Sequence, residues 1–236
     1  MNSIKALTFD VFGTVVDWRT SVAREGEALG RHKNIEADWV SVADAWRACY
    51  APAMEEVRAG RREWVKLDQL HRENLLTVLK DHSIEGLSEE EIDEFNCAWH
   101  RLDPWPDSVP GLTRLKQKFI LGTMSNGNIS LMVNLAKYGG LPWDAILGSE
   151  IAHNYKPMPE VYLSSVAALS LEPNQVMMVA AHNSDLVHAG KLGLRTAFIS
   201  RPTEYGPDQS VDLKAENEYD YVASSMEDLA DQLLAT

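Results

Sequence analysis

The feature that most constrains this chain is a series of short apolar runs alternating with helical periods. Ile4 to Phe9 is largely apolar, carries β-branched and aromatic members, ends at Asp10 and is broken by Gly13. Such a run reads as a strand buried on both faces of a parallel sheet, followed by its exit loop. Phe119 to Met124, Ala145 to Leu147, Val176 to Ala181, Thr196 to Ile199 and Tyr221 to Ala223 repeat the pattern, which gives six expected strands. Between them, Ile129 to Lys137, Pro159 to Leu169, Asp185 to Leu192 and Met226 to Leu234 show helical spacing, with Pro157 and Pro159 suited to a helix start. Strands alternating with helices of about ten residues imply right-handed crossovers. The expected class is therefore α/β, with a doubly wound, Rossmann-like parallel sheet of about six strands.

The interval from Asp17 to Trp105 breaks the alternation, because it shows helical periods and no convincing strand. Trp39, Val42, Ala43, Trp46, Cys49 or Tyr50, Ala53 and Val57 recur at helical spacing. Ser88 followed by Glu91, just before Ile92, Phe95 and Trp99, has the form of a capping box. Pro104, Trp105 and Pro106 mark the return to the sheet. The expectation is a core of residues 1–16 and 106–236 and a helical cap of residues 17–105. A cap inserted after the first strand sits over the carboxyl ends of the strands, where open α/β folds bind ligands.

The 236 residues include 22 Lys and Arg against 35 Asp and Glu, a net charge of −13. A surface this acidic repels nucleic acid backbones and anionic lipid, so neither nucleic acid nor membrane is an expected partner. The acidity is uneven. Residues 17–105 hold 12 basic and 19 acidic side chains and residues 208–236 hold 1 and 8, while the rest is nearly neutral. A small carboxylate ligand is thus compatible with the global charge. Only two cysteines occur, Cys49 and Cys97, without metal-ligand spacing, which suits a reducing compartment. The opening residues carry an acid by position 10 and no basic-then-apolar run, so a cytoplasmic location is expected.

Four segments fall at expected strand ends or at the following helix starts: Asp10 to Asp17, Thr123 to Asn128, Tyr155 to Tyr162, and Ala180 to Asp185. A carboxylate at a strand end, followed by Gly13 and Thr14 in a tight loop, faces a pocket while its neighbours hold it still, which suits a nucleophile. Asp10 taken alone also reads as a loop-capping residue. With all four segments in order, the chain resembles the haloacid dehalogenase superfamily of aspartate-nucleophile hydrolases, and within it the type II L-2-haloacid dehalogenases, over almost its whole length. That resemblance implies a haloacid dehalogenase fold with its cap, and it makes Asp10 the nucleophile.

Position 12 separates the reaction classes. In the phosphatase branch of this superfamily an aspartate two residues after the nucleophile protonates the leaving group and helps hold Mg²⁺; here the residue is Phe12. Phenylalanine can do neither, and a halide leaving group requires neither. Lys156 supplies a positive charge that keeps Asp10 ionised and attracts an anion. Ser125 and Asn126, beside Gly127 and a helix N-terminus, form a carboxylate or halide seat. Thr14 either hydrogen-bonds Asp10 or stabilises the loop. By resemblance, Arg47 is the cap arginine that receives the halide, and Tyr162 matches a family position that orients the site through its hydroxyl. Trp39, Trp46, Trp64 and Trp99 read as core.

In the fourth segment the best-known dehalogenase pattern has Ser and Asn two residues apart, where this chain has Ala180 and His182, and a bulky aromatic where it has Ser184. Asp185 is kept. Two readings of His182 stand: it positions or deprotonates water, or it is a neutral imidazole bonded to Asp185 or to backbone. His188 reads as a surface residue. The resulting expectation is hydrolysis of short (S)-2-haloalkanoates to (R)-2-hydroxyalkanoates and halide through an aspartyl ester. It needs no cofactor and no metal, and the resemblance implies a homodimer. A phosphatase, an azetidine-carboxylate hydrolase and a non-catalytic binding protein on the same scaffold are the alternatives.

Overall fold

A computed structural model describes residues 3–235. Strand β1 (Ala6–Phe9) is buried throughout. Two-residue β2 (Val16–Asp17) leads into helices α1 (Trp18–Lys33), α2 (Trp39–Arg58), α3 (Leu67–Asp81) and α4 (Glu89–Asn96). A 3-10 turn at Cys97–His100 and β3 (Asp103–Pro104) bring the chain back. There follow α5 (Ser108–Leu115), β4 (Ile120–Thr123), α6 (Ile129–Gly139), α7 (Ser149–Ala152) and α8 (Pro159–Ala168). The chain then forms β5 (Val176–Ala180), α9 (Asn183–Lys191), β6 (Arg195–Ile199), β7 (Tyr221–Ala223) and α10 (Met226–Leu234).

The sheet is parallel, in the order β4-β1-β5-β6-β7. Among the described residues it has five strands where about six are expected. The segment Ala145 to Leu147 does run beside β4, but only as isolated bridges at Gly122 with Ala145 and Ser125 with Gly148. Side chains take over part of the pairing there. Thr123 Oγ1 donates to the Leu147 carbonyl at 2.8 Å and accepts its N–H at 2.9 Å. The Asp144 carboxylate accepts the Leu121 N–H at 2.9 Å. β1 lies between β4 and β5, with Phe9 in register with both Thr123 and Val179. Asp10 therefore leaves the sheet where the strand order reverses, the place at which open α/β sheets form their ligand crevice.

The helical interval follows the sequence spacing. α2 buries Trp39, Val42, Ala43, Trp46, Tyr50, Met54 and Val57, so Tyr50 rather than Cys49 takes the inner position. Burying a large apolar side chain contributes roughly 1.5–3 kcal/mol, and this stripe is what fixes the helix. Ser88 and Glu91 form the reciprocal capping box that starts α4. The interval is not free of strand: β2 and β3 pair antiparallel, Val16 with Pro104 and Asp17 with Asp103, so the chain leaves and rejoins the sheet side by side. Among the described residues no helix is long and apolar enough to cross a membrane.

Candidate active site

The loops after β1, β4 and β5 and the turn into α8 meet the α2 face over the carboxyl ends of the strands. They enclose a cavity of about 220 Å³ whose wall includes Asp10, Phe12, Arg47, Asn126, Lys156, Tyr162, His182 and Asp185. At about 30 Å³ per water this space suits a small organic anion. Asp10 is buried and accepts three hydrogen bonds. Lys156 Nζ donates to its Oδ1 at 2.9 Å, and Thr14 Oγ1 (2.9 Å) and His182 Nδ1 (3.0 Å) donate to its Oδ2. Burial opposes its charge, but the Lys156 ammonium and the His182 hydrogen bond more than offset this and hold the carboxyl far below the usual range. Asp10 is thus a buried, ionised carboxylate.

Lys156 is the second buried charge. Its ammonium bridges Asp10 and Asp185, and those two carboxylates overcome the burial that would lower its pKa. Tyr162, fully buried on α8, donates its hydroxyl to the other oxygen of Asp185. The backbone around Lys156 is tied from three sides. Arg58 of α2 donates to its carbonyl at 2.8 Å, Asn126 Oδ1 accepts its N–H at 2.8 Å, and neighbouring Tyr155 donates to the Val65 carbonyl at 2.7 Å.

Three expectations change. Ser125 is fully buried with Oγ accepting the Gly127 N–H at 3.1 Å, so it shapes the loop under the cavity instead of lining it, while Asn126 stays in the wall. His188 is not a plain surface residue: it lines the cavity, with Nδ1 donating to the Ser184 carbonyl at 2.7 Å. His182 fits neither of its two readings. Its ring lies between Asp10 and Glu204, with Nε2 2.9 and 3.1 Å from the two Glu204 oxygens, and it makes no bond to Asp185. Two carboxylates, one on each ring nitrogen, require both nitrogens to donate. Burial disfavours the imidazolium, yet Glu204 and Asp10 raise its pKa well above the ordinary value, so it has no free lone pair with which to take a proton from water.

Glu204 is the residue that sequence reasoning misses. It follows β6, outside the four segments, and is 1% exposed. Trp18 Nε1 donates to it at 3.0 Å. One signal did exist: Gly13 sits at φ +83°, and a Cβ there would lie 2.0 Å from Glu204 Oε1, so only glycine admits that carboxylate beside the loop.

The remaining wall is aromatic and cationic. Phe12 is 2% exposed and packs edge-on to Trp99 and Tyr50 at centroid distances of 5.7 and 6.4 Å. Arg47 lies 4.1 Å from the Tyr50 ring centroid and 5.5 Å from that of Trp18, and its Nε is buried without a hydrogen-bond partner among the described residues. A stacked guanidinium with an idle buried donor can receive an anion. Trp39, Trp46 and Trp99 are core, and Trp64 is half-buried, stacked on His153.

The chain as a whole is similar to known proteins. A family model described as a haloacid dehalogenase-like hydrolase matches residues 4–180. (S)-2-haloacid dehalogenase 4A of Burkholderia cepacia is 27% identical over 224 residues, covering 87% of this chain and 88% of that protein. A crystal structure of a defluorinating L-2-haloacid dehalogenase is similar with a TM-score of 0.96 at 49% identity, covering 98% of this chain and 95% of the other. A second L-2-haloacid dehalogenase structure gives a TM-score of 0.96 at 46% identity over 99% of this chain and all of the other. With the fold matched from end to end at this identity, the chain belongs to the L-2-haloacid dehalogenase family of the haloacid dehalogenase superfamily.

Proposed function

We propose that this protein is a hydrolase of carbon–halogen bonds that converts short (S)-2-haloalkanoates to (R)-2-hydroxyalkanoates and halide through an ester on Asp10. The observation that carries this reading is the setting of Asp10. It is a buried, ionised carboxylate whose cavity holds an apolar ring, Phe12, and a cation with an idle donor, Arg47. Lys156 attracts the anionic substrate and keeps Asp10 charged. As Asp10 bonds to the carbon, the carbon–halogen bond breaks on the opposite side and negative charge moves to the halide. Arg47, with Asn126 beside it, stabilises that charge more in the transition state than in the ground state. Backside attack inverts the carbon.

Water oriented by Asp185 then cleaves the ester at the Asp10 carbonyl carbon. One proton passes to the departing alkoxide, and the second is released as Asp10 re-ionises, so the yield is hydroxy acid, halide and one proton. Phe12 supports displacement at carbon over phosphoryl transfer, because the branch that transfers phosphoryl groups uses an acid at that position. We assign residues 17–105 as the cap and residues 1–16 with 106–236 as the catalytic core. We place the enzyme in the cytoplasm as a homodimer, for which light scattering is the check.

Halide release from each enantiomer of 2-chloropropionate, and from chloroacetate and fluoroacetate, tests the substrate class. A single turnover in ¹⁸O water tests the route: label is expected in Asp10, and an unlabelled Asp10 overturns the covalent path. A phosphate ester hydrolysed in preference to every haloacid overturns the assignment.

A further inference from the structure

The two oxygens of Asp10 are not equivalent. Among the described residues Oδ1 accepts from Lys156 alone, whereas Oδ2 accepts from both Thr14 and His182. A carboxylate oxygen offers two lone-pair sites in its plane. Those of Oδ2 are both taken, while Oδ1 keeps one for a carbon electrophile. We propose that Oδ1 is the attacking oxygen, and that Thr14 and His182 form a pre-built oxyanion hole around Oδ2 for the second step, with Glu204 as the positioning residue that holds the imidazole. This deepens the reaction proposed above and rests on it.

The donors are fixed in direction. Thr14 Oγ1 accepts the Ala181 N–H at 2.9 Å, so its single proton is left for Oδ2. His182 is held from behind by Glu204, which is itself fixed by the Trp18 indole, leaving Nδ1–H aimed at Oδ2. When the ester forms through Oδ1, Oδ2 becomes the ester carbonyl oxygen and the charge of Asp10 disappears, but neither donor has to move. Water then adds to the carbonyl carbon and the carbonyl electron pair passes to Oδ2, beneath a hydroxyl and a charged N–H. Collapse of that centre returns the pair and breaks the bond from the carbonyl carbon to Oδ1, which departs on the product. Donors aimed in advance at developing charge are the arrangement that stabilises such a step most.

The two steps should therefore respond oppositely to loss of His182. A hydrogen bond to the carboxylate steadies the nucleophile, so removing it does not slow the attack. Removing an oxyanion donor slows deacylation by about 10²–10³-fold. Besides Asp10 and Glu204, the titratable and charged groups that share the two cavities of His182 are Lys156, Tyr162, Asp185 and His188 of the core, Asp44, Arg47 and Tyr50 of α2, and Tyr205 and Asp212 of the segment after β6. Lys156 continues to hold Asp10 ionised in the variants.

The test is rapid-quench halide release with intact-protein mass, using the 2-chloropropionate enantiomer that the wild type turns over, on wild type, His182→Asn and Glu204→Gln. Circular dichroism first establishes that each variant is folded. For His182→Asn the expected result is a burst of one halide per site at a rate no slower than wild type, then turnover slowed about 10²–10³-fold with the ester visible by mass. For Glu204→Gln, deacylation should fall as pH rises through the now lower pKa of His182, while the burst stays level. Equal slowing of burst and turnover with no ester, or a pH-independent loss in Glu204→Gln, overturns the oxyanion assignment. Absence of halide release by wild type overturns instead the reaction on which it rests.

Discussion

Replacing Lys156 with Met removes one charge at nearly constant volume and leaves Asp10 and Asp185 facing each other across the vacated ammonium site. Both carboxylates are less than a tenth exposed. Breaking a buried ion pair by deleting one partner costs about 3–5 kcal/mol, because the remaining charge is left uncompensated. The pair can recover much of that by holding one proton between them, as close carboxylates do. At 1.36 kcal/mol per pKa unit, about 3–5 kcal/mol corresponds to an upward shift of roughly two to four units for the shared site. The sign then follows. In the wild type the depressed Asp10 pKa contributes stability that is complete above the unfolded value of 3.8 and is lost only as pH falls through the lower folded value. In Lys156→Met the folded site binds an extra proton, so the deficit relative to wild type grows as pH rises above about 5, by up to about 1.4 kcal/mol per unit. Urea denaturation of both proteins from pH 5 to pH 8 measures this. A deficit that stays constant over that range refutes the shared-proton argument. Halide release should also fall at neutral pH, because the shared proton competes with ionisation of Asp10 and the cation that attracts the anionic substrate is gone.

Three further outcomes are expected. Asp10→Asn should lose about 10⁵–10⁶-fold in halide release, as deletion of a covalent nucleophile does, with substrate binding by calorimetry retained. Arg47→Lys replaces a stacked, delocalised cation by a point charge and should lower kcat about 10²-fold with a smaller change in KM, measured by steady-state halide release. Trp46→Ala removes a fully buried ring whose Nε1 donates to the His71 carbonyl at 2.8 Å, and should destabilise the protein by about 3–5 kcal/mol in urea unfolding.

The sequence showed what local chemistry encodes. The run ending at Asp10, the α2 stripe and the Ser88 capping box each depend on residues within a few positions of one another, and each stands where the spacing puts it. Features set by distant partners were not legible. Ala145 to Leu147 has the composition of a strand, but its carbonyl and N–H are taken by a threonine hydroxyl more than twenty residues earlier. Ser125 has a hydroxyl suited to ligand binding, but the following tight turn claims it. His182 was readable as a functional residue and not as a charged one, because its second carboxylate comes from Glu204, twenty-two residues on and in no recognisable motif. Only the glycine at position 13 marked where that carboxylate lies, and its meaning shows only once the loops are packed.

The placement of β1 has a consequence for how the chain is made. The strand that leads into Asp10 is synthesised before the other strands of its sheet, yet it lies between β4 and β5 and pairs Ala6 with Ile120 and Val176, 114 and 170 residues later. At translation rates of about 5–20 residues per second, its first neighbour is made roughly 6–23 seconds after it and its second later still. Helices α1 to α4 are complete by then and can pack on one another, and because β2 and β3 tie their two ends together, they form a closed unit through which β1 waits. The nascent chain thus carries β1 without its sheet neighbours while α1 to α4 are made, and the sheet begins to close only when β4 is made.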